Sequence, residues 1–157
     1  MSIDNDKKGA AVKFPPPLVF IFWIIVGYGF QQIQPVKIEC VFPYNLIGWI
    51  LIILGISIIL FIRRTFTRAG TSIEPWEPTL NIITTGFYAY SRNPVYVLFC
   101  LVPMGIGILL NNFWILISLI PSIITVYFIA VKKEEAYLEE KFGDEYVQYK
   151  QKVRRWL

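Results

Sequence analysis

The chain has no histidine and only two cysteines among its 157 residues. Without imidazole there is no Ser-His-Asp chemistry, no His-ligated zinc and no haem held by histidine. Cys40 falls in a short polar loop and Cys100 inside an apolar run, with no CxxC, so neither a disulfide nor a thiolate metal site is expected. Charge is missing from four long stretches: Phe14 to Ile33, Tyr44 to Ile62, Pro94 to Leu110 and Phe113 to Val131 contain no Asp, Glu, Lys or Arg. Proton-coupled pumps and small multidrug exporters need an ionisable group at membrane depth, so these bare stretches argue against transport. No stripe of alternating aromatics and bases accompanies the net charge of +4, which argues against nucleic acid as a partner.

What remains is apolar. Hydrophobic residues make up 55% of the chain and are gathered into those four blocks. A bilayer core of about 30 Å takes roughly 20 helical residues. Three blocks fit that length and the third is short, so an all-α integral membrane protein with four spans, about 14–33, 44–62, 94–110 and 113–131, is expected. Pro15, Pro16 and Pro17 stand where the first helix begins, the place where missing N–H groups cost least. The first block is expected to be retained, because its apolar run is too long for a signal peptide and no small-residue cleavage site follows it. Pro103 and Pro121 are expected to bend the third and fourth helices. Ser118, Ser122 and Thr125 read as small positions for close helix packing.

The basic residues set an orientation. Of 15 Lys and Arg, Lys37 alone falls on the side of the loops after the first and third spans. The others, beginning with Lys7, Lys8 and Lys13, fall on the opposite side, which the positive-inside rule makes cytosolic, together with both termini. The outer loops are short. The cytosolic side holds the chemistry-bearing material: Arg63 to Asn93 and Lys132 to Leu157. The first of these carries turn signals at Gly70, Pro75, Pro78 and Gly86 and is too long for an idle loop, while its aromatics argue against disorder. The second reads as one amphipathic helix whose stripe is Leu138, Phe142, Tyr146, Tyr149, Val153 and Trp156. A helix lying on the membrane accounts for the stripe but not for Glu134 and Glu135 at the membrane exit, where carboxylates are disfavoured near anionic lipid.

The ordered set "FTRAGT", "TTGFYAYSRNPVY", a short hairpin and "KKEEAYLEEKFGDEYVQYKQKVRRWL" resembles the isoprenylcysteine carboxyl methyltransferases and the related phospholipid methyltransferases of the membrane. The resemblance covers the last ninety or so residues; the first two spans are similar only in kind. It implies one membrane-embedded methyltransferase domain over 1–157, using S-adenosyl-L-methionine, with cofactor-binding elements at 70–96 and 132–157. Carried over residue by residue, it implies a pocket of Leu80, Asn81, Ile82, Ile83, Tyr88, Asn93, Pro94, Val95 and Tyr96, with Glu134 and Glu135 as carboxylates. Arg92 beside the start of a helix would support binding of the cofactor carboxylate. Taken without the resemblance, Tyr88 and Tyr96 are interfacial anchors and Arg92 a snorkelling cation.

Two positions depart from the family pattern. Asn93 stands where the eukaryotic enzymes have His, which keeps a hydrogen-bonding group but removes imidazole. Ala130 stands where those enzymes carry an arginine thought to engage the prenylcysteine carboxylate; Lys132 and Lys133 are the nearest substitutes. No catalytic residue is singled out and no metal is implied. The methyl acceptor stays open among a lipid, a prenyl or alkyl thiol, a carboxylate and an amine, with the bilayer as partner. A phospholipid N-methyltransferase and a non-catalytic membrane module with a degenerate pocket are the alternatives.

Overall fold

The structure is a computed structural model that describes residues 9–157, so Lys7 and Lys8 of the basic N-terminal run lie outside the described residues. Helix α1 spans Pro16–Ile33, and a short 3-10 turn at Tyr44–Leu46 leads into α2, Ile47–Arg68. Helices α3, Pro94–Phe99, and α4, Leu101–Leu109, follow a long irregular segment. Then come α5, Phe113–Ile117, α6, Leu119–Val126, a π-turn at Tyr127–Val131, α7, Lys132–Phe142, and α8, Asp144–Lys152. Among the described residues there is no strand, and one isolated parallel bridge joins Ser91 to Arg154.

Three helical stretches are long and apolar enough to cross a membrane: Pro16–Ile33, Tyr44–Arg68 and Phe113–Phe142. The protein is an integral membrane protein. The expected third span is shorter than an ordinary one: Pro94–Leu109 is a single apolar stretch interrupted at Cys100. At 1.5 Å per residue it is about 24 Å long, less than the roughly 30 Å of a hydrocarbon core.

The two expected proline bends appear as breaks. A proline ring collides with the carbonyl four residues before it and cannot donate to it. Pro103 therefore disturbs the turn at Phe99 and Pro121 the turn at Ile117, the last residues of α3 and α5. The Cys100 N–H bonds Val97 three residues back (3.1 Å), the tighter 3-10 spacing.

The chain divides into two compact units. One comprises Pro15–Ile59 and Tyr96–Val126. Its helices approach closely at glycines: a Cβ on Gly105 would sit 2.5 Å from the Gly48 carbonyl, and one on Gly27 would sit 2.8 Å from that of Trp114. The expected packing role of the hydroxyls holds here. Ser118, Ser122 and Thr125 donate to carbonyls of their own helix (2.6, 2.7 and 2.7 Å), and Thr125 Oγ1 also accepts from Trp23 Nε1 at 3.1 Å.

The other unit comprises Leu60–Val95, Tyr127–Leu157 and, of the described N-terminal residues, 9–14. The C-terminal region in it is not one helix. Gly143, at φ +52°, ends α7 and turns the chain into α8; that backbone conformation favours glycine because it has no Cβ. α8 ends at Lys152, and Val153 is already extended. The stripe is thus split: Tyr146 and Tyr149 are buried within the unit, while Val153 and Trp156 lie beyond the helix. Of the six stripe residues, Tyr146 and Tyr149 form part of a protein core.

Candidate functional site

The segment that leads to α3 is pinned from both sides. Gly86, at φ +61°, opens a 3-10 turn over Gly86–Ala89 that presents Tyr88. The Tyr88 carbonyl accepts from the Tyr149 hydroxyl at 2.7 Å. The Ser91 hydroxyl accepts the Asn93 N–H at 3.1 Å, a local turn that delivers the chain to Pro94. Pro94 suits the first helical position, since it has no N–H to leave unpaired there.

The carboxylates come from the opposite sequence region. The π-turn at Tyr127–Val131 inserts wide-turn geometry just before α7, a feature that in other helices often accompanies functional sites. One turn later Glu135 is buried, at 7% exposure. It accepts two parallel bonds from Arg155, Nε to Oε1 and Nη2 to Oε2, each 2.9 Å. Arg92 approaches the same carboxylate, Nη1 to Oε1 at 3.2 Å, and its side chain is 8% exposed. Two arginines thus flank one buried carboxylate. Hydrogen bonding to Glu135 is the main reason that Arg155 holds its proton even more tightly than an ordinary arginine. The guanidinium also lies 5.2 Å above the Tyr127 ring.

Three tyrosines surround this cluster. Burial, then the Glu134 charge, raises the Tyr88 phenol well above the usual tyrosine range, although part of the residue stays accessible. Burial pushes Tyr146 up to about 12; Glu135 adds to the shift, and Arg92 opposes it by charge and hydrogen bond. Tyr149 is raised by burial and by Tyr146. All three are neutral hydrogen-bonding groups at neutral pH. The Arg92 Nε is buried without a partner and Nη1 is engaged by Glu135 at 3.2 Å, which leaves the Nε donor beside the cluster for an anionic group.

Residues 44–145 match the family model described as phospholipid methyltransferase. The chain belongs to that family. It is 42% identical over 74 residues to protein-S-isoprenylcysteine O-methyltransferase of Schizosaccharomyces pombe, covering 46% of this chain and 30% of that protein. To the Saccharomyces cerevisiae protein of the same name it is 30% identical over 122 residues, covering 72% of this chain and 51% of the other. An uncharacterized protein of Haemophilus influenzae is 41% identical over 63 residues, which is 40% of this chain and that protein's full length. The chain therefore spans about half or less of the two yeast proteins' length.

Against this family background the expected site residues separate into groups. Tyr88, Arg92, Asn93 and Glu135 are brought together within one unit, and the Glu134 charge is felt at Tyr88 and Tyr146. Pro94 and Val95 begin α3 beside them. Leu80, Asn81, Ile82 and Ile83 sit in the same unit but are fixed by different neighbours: the Leu80 N–H donates to Thr71 Oγ1 (2.9 Å) and Asn81 Nδ2 to the Ala69 carbonyl (3.1 Å). Leu80 is exposed. Tyr96 is the first residue of its stretch in the other unit and is buried there. Arg92 does not snorkel: it is buried against Glu135. Arg155, Ser91, Tyr146 and Tyr149 are neighbours of the motif that the sequence pattern does not single out as such. Tyr146 and Tyr149 carry a signal in the apolar stripe, whereas by sequence Arg155 is one of several membrane-flanking cations.

Proposed function

We propose that this protein is a membrane methyltransferase that uses S-adenosyl-L-methionine, with four spans, both termini in the cytosol and its active site on the cytosolic side. The observation that carries the proposal is the convergence of the Arg92-Asn93-Pro94 segment with the Glu134-Glu135 pair, in a chain of the phospholipid methyltransferase family. The residues present fit the cofactor. The unpartnered buried Nε donor of Arg92 suits its carboxylate, Glu134 suits its ammonium and sulfonium charge, and Tyr88, Asn93, Pro94 and Val95 supply the remaining hydrogen-bonding and apolar surface. The cofactor supplies an electrophilic methyl on sulfur. The chain's own task is to bind, orient and exclude water, and positioning of that kind supplies much of a barrier's reduction.

The acceptor is lipophilic or small, and one observation bears on its head group. Ala130, at the position of the arginine thought to grip a prenylcysteine carboxylate, has 0% exposure. Lys132 and Lys133 are exposed, on faces other than that of Ala130. This favours a neutral or amine acceptor, such as an apolar thiol or a phospholipid amine, over the prenylcysteine carboxylate that the yeast relatives' names imply for those proteins.

Titration calorimetry with S-adenosyl-L-methionine in detergent tests the cofactor half, and absence of binding would refute it. Incubation with methyl-labelled cofactor and total membrane lipid tests the acceptor half, and the labelled product identifies the acceptor.

A further inference from the structure

The chain after α8 turns back on the motif. We infer that Arg155 is a positioning residue of the site, and that the strap Val153–Leu157 fixes the shape of the Ser91–Asn93 segment; this rests on the methyltransferase function proposed above.

Three contacts to main-chain carbonyls of the strap tie it to the segment. The Arg92 N–H donates to the Arg154 carbonyl at 2.9 Å. The Asn93 Nδ2 donates to the Arg155 carbonyl at 3.0 Å, and the Ser91 hydroxyl reaches the same carbonyl at 3.4 Å. The Arg155 side chain adds the paired bonds to Glu135. One residue therefore fixes both halves of the motif, Asn93 through its carbonyl and Glu135 through its guanidinium.

The contact to Asn93 has a chemical consequence. A carbonyl oxygen can only accept, so the strap must face the nitrogen end of the Asn93 carboxamide. The amide oxygen then faces away from the strap. Asn93 is thereby set as an acceptor, suited to a ligand hydroxyl or ammonium, at the position where the related enzymes have imidazole. A lysine at 155 would keep charge but lose the planar fork that holds both oxygens of Glu135.

The experiment uses the full-length protein in detergent and S-adenosyl-L-methionine as the titrant. Arg155→Gln should raise the dissociation constant about tenfold, the loss expected for one charge-assisted bond. Arg155→Lys should lie between this variant and wild type. Lys150→Ala, which removes an exposed pair with Glu139 (2.7 Å), should bind as wild type. In a Glu135→Gln background the further change Arg155→Gln should add little, because its route through Glu135 is already cut; a purely structural role would lower the melting temperature and leave affinity well below that temperature unchanged. If wild type binds and Arg155→Gln binds equally well, the positioning role is wrong while the methyltransferase proposal stands. If wild type does not bind, both are wrong. Should Arg155→Gln fail to fold, Arg155→Lys decides: unchanged affinity overturns the role, and weakened affinity with retained helicity supports it.

Discussion

Removing Glu135 should cost more stability than removing either arginine's charge would suggest, and the reason lies in unequal access to water. The Arg155 side chain is 36% exposed, whereas that of Arg92 is 8% exposed. In Glu135→Ala, Arg155 can turn to solvent but Arg92 cannot: its Nε already lacks a hydrogen-bond partner, and its Nη1 would lose the Glu135 oxygen 3.2 Å away. Breaking a buried ion pair from one side costs about 3–5 kcal/mol, because the remaining charge is stranded. Arg155→Ala leaves Glu135 still facing Arg92, so its cost should be nearer the roughly 1.5–3 kcal/mol of a hydrogen bond to a charged group. Adding Arg92→Leu to Glu135→Ala should then recover part of the loss, since the stranded charge is gone and an apolar side chain fills part of its volume. Denaturant titration in mixed micelles, followed by circular dichroism, ranks the variants. The reasoning fails if Arg155→Ala costs as much as Glu135→Ala, or if Arg92→Leu deepens the loss in the Glu135→Ala background.

Reporter fusions at residue 157 and in the loop near Lys37 should report opposite sides of the membrane, as the single basic residue in the outer loops requires; a common side would refute the four-span topology. Glu134→Ala should weaken S-adenosyl-L-methionine binding by about 1–3 kcal/mol with helicity unchanged, and unchanged affinity in calorimetry would remove Glu134 from the site. A farnesylcysteine carboxylate should be methylated more slowly than its uncharged amide or a simple alkyl thiol; efficient turnover of the carboxylate, abolished by Lys132→Ala or Lys133→Ala, would show that a lysine replaces the family arginine. Tyr146 titrates at about 12 in the folded protein against 10.0 as a free side chain, so the folded state binds the proton more tightly. Its contribution to stability is complete below pH 10 and is lost as pH rises towards 12; Tyr146→Phe should flatten that alkaline loss in thermal melts, and an unchanged slope would refute the assignment.

The apolar architecture was legible because lipid imposes a simple rule: uncharged blocks of sufficient length become helices. The same rule does not set where a helix ends. α2 runs on through Arg63 and Arg64 to Arg68, since charge ends a span but does not end a helix. The third block reads as one span by composition, yet Pro103 interrupts it, and composition is blind to a single lost hydrogen bond. In the C-terminal region, periodicity found the right inward residues, Tyr146 and Tyr149, and attached them to the wrong geometry. Gly143 ends α7, yet the stripe passes through it without a change of phase. The strap was not legible at all. The strap meets Ser91, Arg92 and Asn93, some sixty positions earlier, through its own main-chain carbonyls, and a carbonyl leaves no side-chain pattern.

The pair Glu134-Glu135 shows how neighbouring identical residues divide two tasks. Consecutive positions on an α-helix point about 100° apart, because 3.6 residues make one turn. Both carboxylates therefore cannot face the same partners. Glu135 takes the inward direction: it is buried, and its oxygens are engaged by Arg155 and approached by Arg92. A carboxylate so enclosed has little capacity left for a ligand, and its protonation would strand two cations. Glu134 is only half-buried, and its charge is felt at Tyr88 and Tyr146. The ligand-facing role proposed above therefore goes to Glu134, while Glu135 holds the Arg92 segment, α7 and the C-terminal strap in one arrangement. A π-turn lies immediately upstream: a change of one residue in its register would rotate α7 by that same 100°, turning Glu135 out of the inward direction and bringing an adjacent residue into it.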